Sequence, residues 1–162
     1  MKWRHRLAGP ADAEKLAEID AAASSDPWSA AQFTAACTRV ESHAHGAAQD
    51  TGVSEGILLI EHSAQVGGFV VYSRVLEEGS IHNIAVLPHC RRQGAAHHLL
   101  QAVLVTLANL GVERCLLEVR ASNIAARSLY RDSGFQVDGV RKNYYPSKHG
   151  REDALLMSKA LL

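Results

Sequence analysis

No run of this 162-residue sequence stays apolar for the length of a membrane span, which takes about 18 residues, so no membrane helix is expected. Neither sign of charge is in excess, since 17 basic residues face 17 acidic ones and the formal net charge is zero. Broad electrostatic attraction to nucleic acid or to an anionic membrane is therefore not expected, and any basic function must be local. Cysteine is scarce. Cys37, Cys90 and Cys115 are odd in number and lack paired spacing, which predicts packed, reduced thiols rather than a disulfide framework. The opening "MKWRHRLAGPADAEK" has no apolar signal core, and a cytoplasmic protein is expected. Nine histidines invite a zinc reading. However, His97 and His98 are adjacent and diverge by about 100° on a helix, and no three- or four-ligand set has recognisable spacing. No metal is expected.

What is present is ordinary globular material, 47% hydrophobic and 21% charged, long enough for one domain over 1–162. "DAEKLAEIDAAA" (12–23) puts Leu16, Ile19 and Ala23 on one helical face, with Asp12 as a candidate cap. "PWSAAQFTAACTR" (27–39) predicts a second helix with Trp28 and Phe33 turned inward. Residues 40–56 are small, polar and aperiodic, and predict a loop. "ILLIE" and "VGGFVVYSRVL" predict strands joined at "HSAQ", and "SIHNIAV" predicts another. From Gly94 to Leu110, Leu99, Leu100, Val103, Leu104 and Leu107 recur at steps of three and four, and Gly111 ends the helix. "RCLLEV" predicts a strand, Asn123 caps the helix "IAARSLYRDS", and Gly134 ends it. "FQVDGVRKNYY" and "DALLMSKALL" predict closing strands. The order ααβββαβαββ implies at least one parallel strand pair with a crossover helix.

One stretch stands out. "IAVLPHCRRQGAAHHLL" (84–100) joins a strand to a helix through a basic, glycine-containing turn. Small residues at 94–96 let a ligand approach the backbone, and the amides of a helix start, with Arg91 and Arg92, suit an anion such as pyrophosphate. The plainer alternative is a surface turn with solvated arginines. Cys90 beside this turn lacks a partner base, which argues against cysteine catalysis.

The succession "NIAVLPHCRRQGAAHHLL" and "LLEVRASNIAARSLYRDSGF" resembles the GNAT superfamily of N-acetyltransferases. With "PWS" and the tail "RKNYYP…GREDALLM" it is similar to the ribosomal-protein alanine N-acetyltransferase (RimI) branch. Two features depart from that pattern: Ala96 stands where glycine is more usual, and the polar segment 40–56 looks longer than in the family. The resemblance implies an α/β (α+β) fold, with a mixed, mostly antiparallel central sheet flanked by helices. Within it the parallel strands 81–86 and 115–120 splay apart to admit the co-substrate, acetyl-CoA. It further implies that Ile84, Ala85 and Val86 contact the pantetheine arm and acetyl group through their backbone. Arg92, Gln93, Gly94, Ala95, Ala96 and His97 would form the pyrophosphate loop with Arg91 at its edge, and Asn123 would also meet the cofactor. Glu118 and Tyr130 would carry the chemistry, and Tyr144 and Tyr145 would line a peptide groove.

Elementary chemistry fits these roles. A carboxylate interrupting the apolar run "CLLEV" is costly to bury unpaired, and burial would move it towards a general base. The target amine must lose a proton before attack, and an α-amino group at about 7.7–8.0 gives it up more readily than lysine at about 10.4. A free amide on 81–86, that of Val86 above all, suits the oxyanion, and Tyr130 could protonate the departing thiolate. Taken alone, an edge-strand glutamate facing water and a core tyrosine are the plainer readings. The expected activity is acetyl transfer to a protein N-terminus, chiefly the alanine N-terminus of a small-subunit ribosomal protein. The alternatives are acetylation of other N-termini, lysines or small amines, and a CoA-binding regulatory module without turnover.

Overall fold

A computed structural model describes residues 2–46 and 52–162. Among these, the elements are β1 (Arg4–Leu7), α1 (Ala13–Ala23), α2 (Ala30–Gly46), β2 (Val53–His62), β3 (Gln65–Val75), β4 (Glu78–Val86), α3 (Ala95–Asn109), β5 (Arg114–Arg120), α4 (Ile124–Asp132), β6 (Gln136–Ser147) and β7 (Gly150–Ala160). The strands form one seven-stranded sheet in the order β1-β2-β3-β4-β5-β7-β6. Every neighbouring pair is antiparallel except β4–β5, whose crossover runs through α3. The expected mixed sheet with one parallel pair is what forms.

The helical spacing of α3 buries Leu99, Leu100, Val103 and Leu107 completely, and Leu104 is 6% exposed. At about 1.5–3 kcal/mol for each large side chain removed from water, this stripe is the main anchor of the helix on the sheet. On α1, Leu16 and Ile19 are fully buried, as their spacing predicts, whereas Ala23 is exposed. Phe33 of α2 is fully buried against Phe69 of β3, with ring centroids 5.3 Å apart. Cys37, Cys90 and Cys115 are all buried and reduced. Burial pushes the Cys115 thiol up to about 12.

Several local expectations need correction. The strand β1 escapes a pattern search because all four of its residues are exposed; only its pairing from Arg4–Glu61 to Leu7–Leu58 makes it a strand. Asp12 does not cap α1 with its side chain. Its carboxylate instead accepts the Gly9 amide at 2.9 Å and both terminal nitrogens of Arg6 at 2.9 Å. The second helix begins at Ala30, not Pro27, because Ser29 and Gln32 form a reciprocal capping pair, Gln32 N–H to Ser29 Oγ at 3.2 Å and Ser29 N–H to Gln32 Oε1 at 2.7 Å. Trp28 thus lies outside the helix and is 38% exposed, its ring tilted against Phe33 at 5.3 Å. The expected loop 40–56 is shorter than its composition suggests. Nothing in "VESHAH" breaks a helix, so α2 continues to Gly46, and β2 starts at Val53; residues 47–51 lie outside the described residues. At "HSAQ" the turn is as tight as expected, with Ser63 and Ala64 at φ of 51° and 64°, the twist a two-residue hairpin requires.

Candidate active site

Pairing between β4 and β5 spans only Glu78–Ile81 and Arg114–Leu117. Beyond it the strands part, and the opening is a cleft of about 610 Å³. Its walls come from β4 (Ile81–Ile84), β5 (Glu118–Arg120), α4 (Ala126, Tyr130) with its cap Asn123, the α1–α2 linker and the Tyr145–Pro146 end of β6. The Leu87 amide bonds to Gly67 O at 2.9 Å. Strand alternation therefore turns the Ala85 backbone towards β3 as well, and the amides of Ile84 and Val86 towards the gap. Ala85 and Val86 are themselves 5% and 8% exposed.

Glu118 lines this cleft, but not as a buried, isolated carboxylate. Its side chain is 32% exposed and faces Arg141 Nη2 at 3.5 Å. The strand leaves it open because β5 is unpaired with β4 at that level. Tyr130 is 5% exposed, carried into the cleft from α4, whose start is fixed by Asn123 Oδ1 accepting the Ala126 amide at 3.2 Å. Burial, with smaller contributions from Cys115 and Tyr145, holds the Tyr130 phenol well above its ordinary value, so it keeps its proton at neutral pH. Tyr145 is half-buried beside it on the cleft, under the Arg120 guanidinium at 4.4 Å from the ring centroid. Tyr144 does not line the cleft; it is 40% exposed and packs edge-on to Tyr145 at 4.9 Å.

None of residues 91–97 lines the cleft. They follow β4 after a short 3-10 turn, Pro88–Cys90. Gly94 stands at φ 77°, and a Cβ there would meet no atom within 4 Å. Arg92 also has positive φ, 59°. The first helical amide with an acceptor is that of His98, on Gly94 O at 2.9 Å, so the amides of 95–97 precede the ladder and point outward. Three side-chain bonds hold the turn: Trp3 Nε1–H to Gln93 O at 3.0 Å, Gln93 Nε2–H to His89 O at 3.0 Å, and Arg91 Nε–H to Val86 O at 3.3 Å. Open space over a left-handed glycine, outward amides and an exposed Arg92 suit a pyrophosphate. Gln93, Gly94 and His97 also border a separate depression shared with Trp3 and His5.

Sequence reasoning missed Asp20, Asn83, His82 and Arg120. Asp20 is 1% exposed; its Oδ2 accepts the Trp28 amide at 2.9 Å and its Oδ1 accepts Asn83 Nδ2–H at 3.0 Å, which seats the linker on β4. An aspartate in the apolar face of "LAEIDAAA" was the available signal. Arg120 donates to Glu152 Oε1 at 3.0 Å and Pro146 O at 2.8 Å, tying β5 to the β6–β7 hairpin. Among the described residues, no group of three or more His, Cys, Asp or Glu could hold a metal ion.

The sequence matches the acetyltransferase (GNAT) family over residues 13–135. It is 41% identical over 99 residues to a [ribosomal protein bS18]-alanine N-acetyltransferase of Escherichia coli K12, covering 61% of this chain and 67% of that protein. It is 32% identical over 148 residues to the protein of that name in Haemophilus ducreyi, covering 91% of this chain and 92% of the other. The structure superposes on the crystal structure of the ribosomal-protein-S18-alanine N-acetyltransferase from Escherichia coli with a TM-score of 0.83 and 31% identity, covering 99% and 94% of the two chains. A match over most of its length, on a sheet that opens between its two parallel strands, places the chain in the GNAT family of acetyltransferases.

Proposed function

We propose that this acetyltransferase acts on a protein N-terminal α-amine, chiefly the alanine N-terminus of a small-subunit ribosomal protein, with acetyl-CoA as co-substrate. One observation carries the reading: Glu118, Tyr130 and Tyr145 border a single cleft at the point where β4 and β5 part. The names of the Escherichia coli and Haemophilus ducreyi relatives support the choice of substrate. Acetyl-CoA supplies an activated thioester. Arg92–His97, with Arg91 at the edge, hold its pyrophosphate, while Ile84–Val86 and Asn123 hold the arm that reaches the cleft. Glu118 takes a proton from the attacking amine, and Arg141 keeps that carboxylate oriented until the amine arrives. The Val86 amide, turned into the gap, is the donor for the oxyanion. Tyr130, kept protonated by burial, gives its proton to the leaving sulfur. Tyr145 receives the peptide at the cleft, and Tyr144, packed edge-on to it, supports that ring from outside.

The test is release of CoA thiol on an alanine-starting peptide, in wild type and Glu118→Gln. Loss of a full general base costs roughly 10²–10⁴ in turnover. Equal turnover at neutral pH removes Glu118 from the role. No thiol release by wild type on any amine leaves a CoA-binding module instead.

A further inference from the structure

β4 carries one residue too many just where the cleft begins. Val71 of β3 sits opposite Asn83, but Tyr72 sits opposite Ile81, so His82 is a bulge, immediately past the last residue of β4 paired to β5. Bulges beside sites re-aim a side chain. His82 is exposed and lines the cleft with Glu118; the same two residues also line an adjoining hollow of about 540 Å³. Its Nε2 lies 2.6 Å from Ser73 Oγ. In the tautomer whose Nε2–H donates to that hydroxyl, Nδ1 is left as the ring's lone-pair acceptor. Behind Ser73, in register with it on β2, stands Glu55, which accepts Arg39 Nε–H at 2.8 Å. The other titratable groups on the walls include Asp20, Asp26, Glu118, Arg120 and Tyr145. Desolvation lowers the His82 imidazole below its ordinary value, against the pull of Glu55, so the ring is neutral at pH 7.

The stoichiometry of amide formation asks for such a group. An α-ammonium loses two protons on becoming an amide. One returns to the CoA sulfur through Tyr130, which is recharged from Glu118; the other must leave the site. A neutral imidazole can take that proton on its free ring nitrogen and release it to water. We infer that His82 is a second proton acceptor of the acetyl-transfer site, its Nδ1 taking from the bound α-ammonium, directly or through one water, the proton that then leaves to solvent. Glu118 takes the second proton as the C–N bond forms and the C–S bond breaks. This inference rests on the acetyl-transfer reading above.

The experiment measures thiol release on an alanine-starting peptide between pH 6.5 and 9.5, for wild type, His82→Ala and His82→Gln, with and without added imidazole. At neutral pH both variants should be at least about tenfold slower, general acid–base groups contributing typically 10²–10⁴. Both should approach wild type at the alkaline end, where the amine needs no acceptor. Imidazole should restore turnover to His82→Ala, whose cavity it can enter, and not to His82→Gln. Calorimetry should find acetyl-CoA affinity unchanged in both. Wild-type turnover of His82→Ala at pH 7, or a loss that ignores both pH and imidazole, or repair by glutamine, overturns the role and leaves acetyl transfer standing. A wild type that releases no thiol sinks the acetyl-transfer reading, and the inference with it.

Discussion

Removing the Asp20 carboxylate should loosen the α1–α2 linker from the sheet and weaken peptide binding without touching the co-substrate site. Both carboxylate oxygens are engaged, one by the Trp28 amide at 2.9 Å and one by Asn83 Nδ2 at 3.0 Å, on a side chain 1% exposed. Hydrogen bonds to a charged group contribute about 1.5–3 kcal/mol each, so Asp20→Ala forfeits at most about 3–6 kcal/mol. The linker can swing out and let water reach the Trp28 amide, and the lower end, about 3 kcal/mol, is expected. For a chain of this length each kcal/mol moves Tm by roughly 2–4 °C, so the midpoint should fall by roughly 6–12 °C. Asn83→Ala removes only one of the two bonds, and a double-mutant cycle with Asp20→Ala should return a coupling of about 1.5–3 kcal/mol. Because Ser24, Ser25, Asp26 and Trp28 line the cleft while residues 91–97 do not, the peptide KM should rise and acetyl-CoA affinity should hold. Thermal unfolding with steady-state kinetics on both substrates decides it. A Tm within about 2 °C of wild type, or a loss confined to acetyl-CoA, would refute the reasoning.

Gly94→Leu should leave the fold intact, since open space surrounds the position and a left-handed residue costs only about 1–2 kcal/mol; the new side chain should occupy the pyrophosphate's place. Calorimetry should then show acetyl-CoA affinity down by at least about tenfold, or about 1.4 kcal/mol, and unchanged affinity removes the loop from the site. Tyr130→Phe should keep acetyl-CoA affinity and slow single-turnover transfer; an unaffected rate would leave the thiolate protonated by water. Burial raises the Tyr130 phenol, so the folded state holds that proton more tightly than the unfolded chain. The associated stability is complete below the unfolded value of about 10 and is lost as pH rises through the folded one. Urea midpoints should thus fall more steeply above that pH in wild type than in Tyr130→Phe.

The helices and central strands were legible because each buries a periodic face: Leu99 to Leu107 on α3 state their own burial in the sequence. The strand β1 was not, because an edge strand with four exposed residues has no alternation to read. The helical run 40–46 was missed for a related reason, as small polar residues form a helix without marking a face. For the site, "RRQGAA" and Asn123 announced a turn and a cap, and both form. Glu118 was expected in an apolar strand, yet the splay leaves it open and opposite Arg141, a partner 23 positions away in sequence that no local pattern ties to it. His82 depends on a one-residue slip in register between β3 and β4. That slip comes from strand pairing, and "SIHNIAV" by itself reads as a regular strand.

Substrate choice is tested most directly by kcat/KM on two sets of peptides with acetyl-CoA. One set begins with alanine and copies the N-terminus of the small-subunit ribosomal protein; the other carries the same sequences with blocked N-termini and free lysines. The α-amine is less protonated than lysine at neutral pH, and a groove floored by Glu118 and bordered by Tyr145 and the α1–α2 linker should orient an extended terminus for attack. Faster acetylation of the alanine-starting set is the predicted result, and equal rates or a preference for lysine would contradict it.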